Sequence, residues 1–125
     1  MTRAKFVTPV DINSVPSDGE WLRVSFQAKS TVTMELLPKS SSVVVSAAQF
    51  KIAFATFEDD LRRAELINIS PVFGTTLAGD GGSWVDLTLD PSGERVQLEL
   101  FQGDAQLGAC HELPFIQLAD SAELL

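Results

Sequence analysis

The sequence predicts an all-β protein, an antiparallel β-sandwich of about eight strands. Residues 84–89 and 95–101 each alternate apolar with polar side chains, which is the period of a half-buried strand. The segment between them, residues 90–93, contains Asp, Pro, Ser and Gly and is typical of a turn. Residues 21–28 and 31–36 alternate in the same way. Short alternating runs that are separated by turn signals are characteristic of a sandwich.

Length and composition predict one domain. A chain of 125 residues with 45% hydrophobic side chains can bury one core, whereas two cores would be short of apolar area. Charged residues make up 21% of the chain, a share that argues against global disorder. We assign residues 1–19 to an N-terminal arm and residues 20–118 to the sandwich. Residues 119–125 are a C-terminal tail that we expect to lead into a longer protein.

Further strands are predicted at residues 43–45, 49–56 and 106–113, and residues 77–83 form a glycine-rich flexible loop. The structure of residues 57–66 is less clear from the sequence.

Two interpretations of residues 57–66 are open. One is a short helix, because Thr56 and Asp59 have the spacing of a capping box. The other is a hairpin that turns at residues 58–60 and continues into a strand at 62–69. The alternation of Ile, Asn and Ile at residues 67–69 favours the hairpin.

Charge narrows the classes of partner. Nine Lys and Arg against seventeen Asp and Glu give a formal charge of −8. An acidic surface repels phosphate groups and anionic lipid, so we expect no nucleic acid, and a membrane partner is disfavoured. No apolar run approaches the ~18 residues that a membrane span needs, and no signal peptide is evident. Cys110 is the single cysteine, which excludes an intrachain disulfide. These features predict an intracellular, cytoplasmic protein.

The candidate chemical groups do not form a reactive cluster. Cys110 and His111 are adjacent, but neighbouring side chains on a strand point to opposite faces and cannot act on each other. With one histidine, no imidazole pair exists for a zinc site. The acidic residues between 86 and 104 are spread over polar strand faces. We therefore predict no catalytic residue, no metal and no cofactor.

Two tryptophans are the candidate partner-binding residues. Trp21 and Trp84 lie on the strand faces opposite the apolar positions, and tryptophan dominates binding hot spots. Asp80 and Gly81, in the adjacent loop, complete the predicted binding surface. The alternative is that each tryptophan closes the rim of the core, since Trp is mostly buried in proteins.

From residue 50 to residue 118 the order of these signals resembles a C2 domain, an eight-stranded sandwich used in membrane and protein docking. The strand at 50–54, the Ile-Ser-Pro-Val-Phe corner at 69–73, and the strand and loop at 98–104 followed by Leu-Gly at 107–108 carry the resemblance. In the family's calcium loop, Gln102 replaces the first aspartate and Asp104 is retained. Calcium takes ~6–8 oxygen ligands. The resemblance therefore implies calcium-independent docking to a protein.

These observations predict a non-enzymatic protein–protein interaction module that recruits or scaffolds a partner. A partner with a basic patch would complement the acidic surface, and its association would slow as salt rises. One alternative is a self-assembling structural subunit whose edge strands pair between copies. A second is a carbohydrate-binding sandwich in which Trp21 or Trp84 stacks on a sugar.

Overall fold

The computed structural model describes residues 11–26, 30–69 and 73–125. Its elements, in chain order, are β1 (Ile12–Asn13), β2 (Trp21–Ser25), β3 (Thr31–Leu37), β4 (Ser41–Ser46), α1 (Ala47–Leu66), β5 (Phe73–Ala78), β6 (Ser83–Leu89), β7 (Arg95–Gln102), β8 (Ala105–Pro114) and α2 (Phe115–Glu123). One turn of 3-10 helix, Asp80–Gly82, precedes β6.

The strands form two four-stranded antiparallel sheets, in the orders β1-β2-β3-β4 and β5-β6-β7-β8. Each sheet is a meander, and each is followed in the chain by a helix. The hairpin between β6 and β7 pairs Val85 with Leu100 and Leu87 with Leu98. The prediction of a mainly antiparallel β protein is therefore confirmed.

Both sheets and both helices contribute to one hydrophobic core. Along β2, β3, β6 and β7 every second side chain is buried, as the alternation in the sequence predicts. The largest fully buried side chains, which come from both sheets and both helices, are Phe50, Phe54, Phe57, Leu22, Met34, Leu36, Leu87, Leu89, Leu98, Leu100, Leu113 and Leu118. The shared core makes the two sheets and the helices one packed unit.

Helix α1 corrects the predicted strand at 49–56 and the favoured hairpin at 57–66, both of which are wrong. Its buried residues include Phe50, Phe54, Phe57 and Ala64, which recur at helical spacing. The Ser46 hydroxyl caps the helix by accepting a hydrogen bond from the Gln49 N–H at 3.4 Å. The apolar residues at 50, 52 and 54 also fit a period of two, but residue 52 is exposed. A short apolar run does not separate the two periods.

Helix α2 was not predicted, and it begins at Phe115 and ends at Glu123. The segment assigned to a C-terminal tail starts inside this helix, where Ala119 and Ala122 are buried. Within the segment assigned to an arm, β1 pairs with β2, whereas residues 1–10 lie outside the described residues.

The segments that carry the C2 resemblance have different outcomes. Residues 50–54 lie in α1, where the resemblance implies a strand. The corner at 69–73 lies partly outside the described residues, because 70–72 are not described. Residues 98–102 lie in β7, followed by a turn at 103–104, as the resemblance implies. Membership of the C2 family stays a prediction.

Candidate functional site

A groove lies between α1 and β5, the first strand of the second sheet. We call it the α1–β5 groove. Residues Gln49, Ile52, Ala53, Thr56, Phe57 and Asp60 of α1 line one side, and Gly74, Thr75 and Leu77 of β5 line the other. Its volume is 280 Å³. α1 and β5 contact each other along this groove.

The α1–β5 groove has an apolar floor and a polar end. Ala53, Phe57 and Leu77 are buried at its base. Ile52 lies on the wall with 66% of its surface exposed, which is unusual for a large apolar side chain. Asp60 lies three residues after Phe57 on α1 and forms no ion pair with any described residue. The groove therefore offers an apolar contact next to a carboxylate.

Three of the four predicted partner-binding residues lie together at one end of the second sheet. Trp84 stacks on Phe101 with ring centroids 4.0 Å apart and an interplanar angle of 7°. Its indole N–H donates to the Gly103 carbonyl at 2.9 Å. Asp80 and Gly81 form the adjacent 3-10 turn, and the Gly81 carbonyl accepts a hydrogen bond from the Gln102 side chain at 2.7 Å.

Trp21 lies apart from that cluster, on the first sheet. Its ring is half-buried, and the Arg23 guanidinium lies over it, 5.7 Å from the ring centroid. Arg23 also donates to the Glu35 carboxylate at 2.7 Å. Because Trp21 and Trp84 belong to different sheets, they do not lie next to each other on one strand surface.

His111 connects the β1–β2 hairpin to β8. The His111 Nε2 atom lies 2.7 Å from Glu20 Oε1, and its Nδ1 atom lies 3.3 Å from the Ser14 hydroxyl. Ser14 Oγ accepts the Leu22 N–H at 2.8 Å, so its own hydrogen is free to point to Nδ1. Glu20 also accepts the Ala109 N–H at 2.8 Å. This network joins residues more than ninety positions apart.

The Ser14, His111 and Glu20 side chains do not have the arrangement of a hydrolytic triad. In such a triad the nucleophile contacts Nε2 and the acid contacts Nδ1, and here the two contacts are exchanged. Ser14 is buried, and the His111 side chain is only 2% exposed. A substrate therefore has no path to the hydroxyl, and the contacts serve to join the sheets.

Cys110 is exposed on β8 while its neighbour His111 is buried, so their side chains point to opposite faces as predicted. Partial desolvation raises the pKa of the Cys110 thiol, and the nearby Glu99 and Glu112 carboxylates raise it further. A raised pKa reduces the thiolate fraction at neutral pH and makes the thiol a poor nucleophile.

Glu20→Gln is expected to change how stability depends on pH. The Ala109 N–H, and then the His111 side chain, lower the pKa of the Glu20 carboxyl below its ordinary value. A lowered folded-state pKa contributes stability that is present above the unfolded pKa and is lost as pH falls through the folded value. The wild type should therefore be more stable than the variant at pH 7, and the gap should narrow below about pH 4.3.

Urea unfolding of both proteins at several pH values between 7 and 3 measures this gap. The substituted glutamine keeps the shape of the Glu20 side chain and removes its charge, so any change with pH is attributable to the carboxylate. Parallel stability curves over the whole range would contradict a role for the charge of Glu20.

Comparison of the chain with protein-family models, curated proteins and solved structures finds no match. Within residues 11–26, 30–69 and 73–125, no three His, Cys, Asp or Glu side chains converge as a metal site would require. Neither described helix combines the length and apolarity of a membrane span. The class of protein is thus defined by the fold: a two-sheet antiparallel β protein with two helices and a groove at one sheet edge.

The α1–β5 groove was missed in the sequence because both of its sides were misassigned. Residues 49–60 were predicted as a strand and a turn, and residues 73–76 were not assigned to any element. One signal was available in the sequence. Thr56 lies about two helical turns after Gln49, and Asp60 lies about one turn after Thr56, so the three side chains share one face of a helix. That face is the wall of the groove.

Proposed function

We propose that this protein is a non-enzymatic interaction module that recruits a partner protein through the α1–β5 groove. The observation that carries the proposal is an apolar floor, formed by Ala53, Phe57 and Leu77, open to solvent beside the exposed Ile52. Solvent-accessible apolar concavities rimmed by polar side chains are the usual sites of recognition.

The size of the groove favours a protein partner over a small molecule. Its volume of 280 Å³ is just below the roughly 300–1,000 Å³ of small-molecule sites. A groove of this volume accommodates one or two anchoring side chains, which is how hot spots of protein interfaces are built.

The fold and the charge support the remaining parts of the proposal. Two sheets that share one core are compatible with a sandwich, and the C2-like, calcium-independent docking function is proposed on that basis. The formal charge of −8 favours a partner with a basic patch. Its association rate should fall as ionic strength rises, because screening shortens the range of the attraction.

Ile52→Asp is expected to abolish partner capture, and Ile116→Asp is the matched control. Both isoleucines are exposed on helices, at 66% and 63%, but only Ile52 lines the groove. A charge placed at the groove wall prevents apolar contact, whereas the same change on α2 leaves the groove intact. Quantitative affinity capture from extracts of the source cells, with each full-length variant as bait, measures the difference. Equal capture by the wild type and Ile52→Asp would contradict the proposal.

Trp84→Ala in the same experiment tests the predicted aromatic surface. If Trp84→Ala loses the partner and keeps the wild-type melting temperature while Ile52→Asp retains the partner, the docking surface is the Trp84–Phe101 pair. That result would also overturn the assignment to the groove.

A further inference from the structure

We propose that the partner docks as an extended peptide that adds a strand to the free edge of β5, with an apolar side chain in the α1–β5 groove and a Lys or Arg beside Asp60. This inference rests on the proposed function and specifies the chemistry of its ligand.

The register shows which backbone groups of β5 are available. Among residues 11–26, 30–69 and 73–125, β5 is the terminal strand of its sheet and β6 is its one partner strand. The Gly79 N–H donates to the Ser83 carbonyl at 2.8 Å. Because bonded and non-bonded pairs alternate in an antiparallel ladder, Thr75 and Leu77 also bond to β6. Gly74 and Thr76 therefore direct their N–H and C=O groups to the free edge.

The free part of this edge is short and exposed. Within the described residues, Gly74 and Thr76 form no backbone hydrogen bond outside their own sheet, and both are exposed. Beyond Leu77 the edge is occupied, since Val45 of β4 forms a bridge with Gly79. The available edge supplies two donors and two acceptors, enough for about three residues of an added strand.

The sequence of β5 contains none of the residues that usually protect an edge strand from pairing. Natural edge strands carry lysine, proline or a bulge that discourages a further strand. The sequence of β5 is Phe-Gly-Thr-Thr-Leu-Ala, with no charge and no proline, in a chain of which 21% is charged. Its register with β6 is regular throughout. An unprotected edge beside an open apolar groove is the arrangement that peptide addition requires.

The groove specifies the side chains of the peptide. On an added strand, alternate side chains face the same way, so one of them can reach the floor formed by Ala53, Phe57 and Leu77. Asp60 and Gly74 both line the groove, while the nearest cations on the helix, Arg62 and Arg63, pair with Asp59. A Lys or Arg next to the apolar anchor would complement Asp60.

Charge also decides between a peptide and a second copy of this chain. Two copies, each with a formal charge of −8, would repel as they approached. β5 itself carries no basic residue that could meet Asp60 of another copy. A basic, apolar peptide meets both requirements, because it is attracted by the acidic chain and supplies a cation for Asp60.

A random-peptide phage library, selected on the full chain, identifies a binding sequence, and a synthetic peptide of that sequence is the probe. We expect enriched peptides that carry alternating apolar residues and at least one Lys or Arg. Amide hydrogen exchange of the complex should slow at Gly74 and Thr76, whose N–H groups face the free edge, and stay unchanged at Thr75 and Leu77, which already bond to β6.

Thr76→Pro removes one backbone N–H donor from the edge of β5 and is expected to lower the affinity for the peptide about tenfold or more. Thr76→Ala is its control, because both substitutions lose the hydrogen bond from Thr76 to Asp86 but alanine keeps the backbone N–H. Asp60→Asn should lower the affinity for the peptide by roughly two- to fivefold, which is the effect expected for the loss of an exposed ion pair. Glu58→Gln is the matched control, since Glu58 lies on the opposite side of α1, facing α2.

N-methylation of the peptide at alternate positions repeats the test without changing the protein. A peptide methylated at one set of alternate positions should lose affinity, and a peptide methylated at the other set should retain it. The reason is that only one of the two sets of peptide N–H groups pairs with β5. No enriched peptide, equal binding to Thr76→Pro and Thr76→Ala, or protection confined to the sheet surface around Trp84 would each overturn the inference. Concentration-dependent dimerisation that Thr76→Pro abolishes would assign the edge to a second copy instead. If any of these contradicting outcomes is observed while Ile52→Asp still fails to capture the partner protein, the proposed function stands and only strand addition is wrong.

Discussion

Phe54→Ala is expected to lower the free energy of unfolding by about 3–5 kcal/mol, the range for a large aromatic side chain removed from a core. The Phe54 side chain is 1% exposed. Its ring centroid lies 4.6 Å from that of Phe50 and 5.6 Å from that of Phe57, both on α1. It also lies 5.9 Å from the ring of Phe115, which joins α1 to α2. Truncation therefore leaves a cavity between the helices that rigid neighbours cannot fill.

Equilibrium unfolding in urea measures the loss. Ile52→Ala is the control, because it lies on the same helix and is 66% exposed, so its cost should stay within about 0.5 kcal/mol. If Phe54→Ala costs no more than Ile52→Ala, Phe54 does not pack between Phe50 and Phe115, and a strand at these positions would explain the result better.

Gly79→Ala is expected to cost about 1–3 kcal/mol, the range for an overpacked core. Gly79 has an ordinary extended backbone, with φ −111° and ψ −173°, so the reason is space and not conformation. A Cβ atom there would lie 2.7 Å from Val43 Cγ1, 2.7 Å from Ser83 Oγ and 3.0 Å from the Val44 carbonyl oxygen. This is where β4 of the first sheet meets the end of β5 in the second.

A double-mutant cycle with Val43→Ala checks the steric explanation. Val43→Ala removes one of the three close atoms, so the two substitutions together should cost less than the sum of their separate costs. Additive costs, measured by urea unfolding of the single and double variants, would show that Gly79 is required for a reason other than its contact with Val43.

Much of the sheet structure could be predicted because its signals are local. In the hairpin of β6 and β7, alternate residues such as Val85 and Leu98 face the core, and a turn sequence separates the strands. Period two and turn chemistry are properties of neighbouring residues, so they are visible without a structure. The same applies to the opposite orientations of Cys110 and His111, although the strand pattern alone did not indicate which of the two is buried.

The misassignment of α1 has a different cause. Phe50 and Phe54 fit both a strand and a helix, and Ile52 between them made alternation look complete. In the structure these residues form a helix, because Phe57 and Ala64 extend the buried face that begins at Phe50 over about four turns. Ile52 lies outside that face and is exposed. Burial of that face depends on β3, β4 and β5, which no local pattern describes.

The sequence by itself therefore indicated the strands β2, β3, β4, β6, β7 and β8 and the acidic charge, since each depends on residues that are near in the chain. Only the tertiary structure showed which residues lie together at the candidate functional site. The α1–β5 groove exists because a helix and a strand line the same concave surface, and the contact of Glu20 with His111 spans 91 positions. Such contacts form when a whole core is buried, and their free energy comes from residues that no single segment contains.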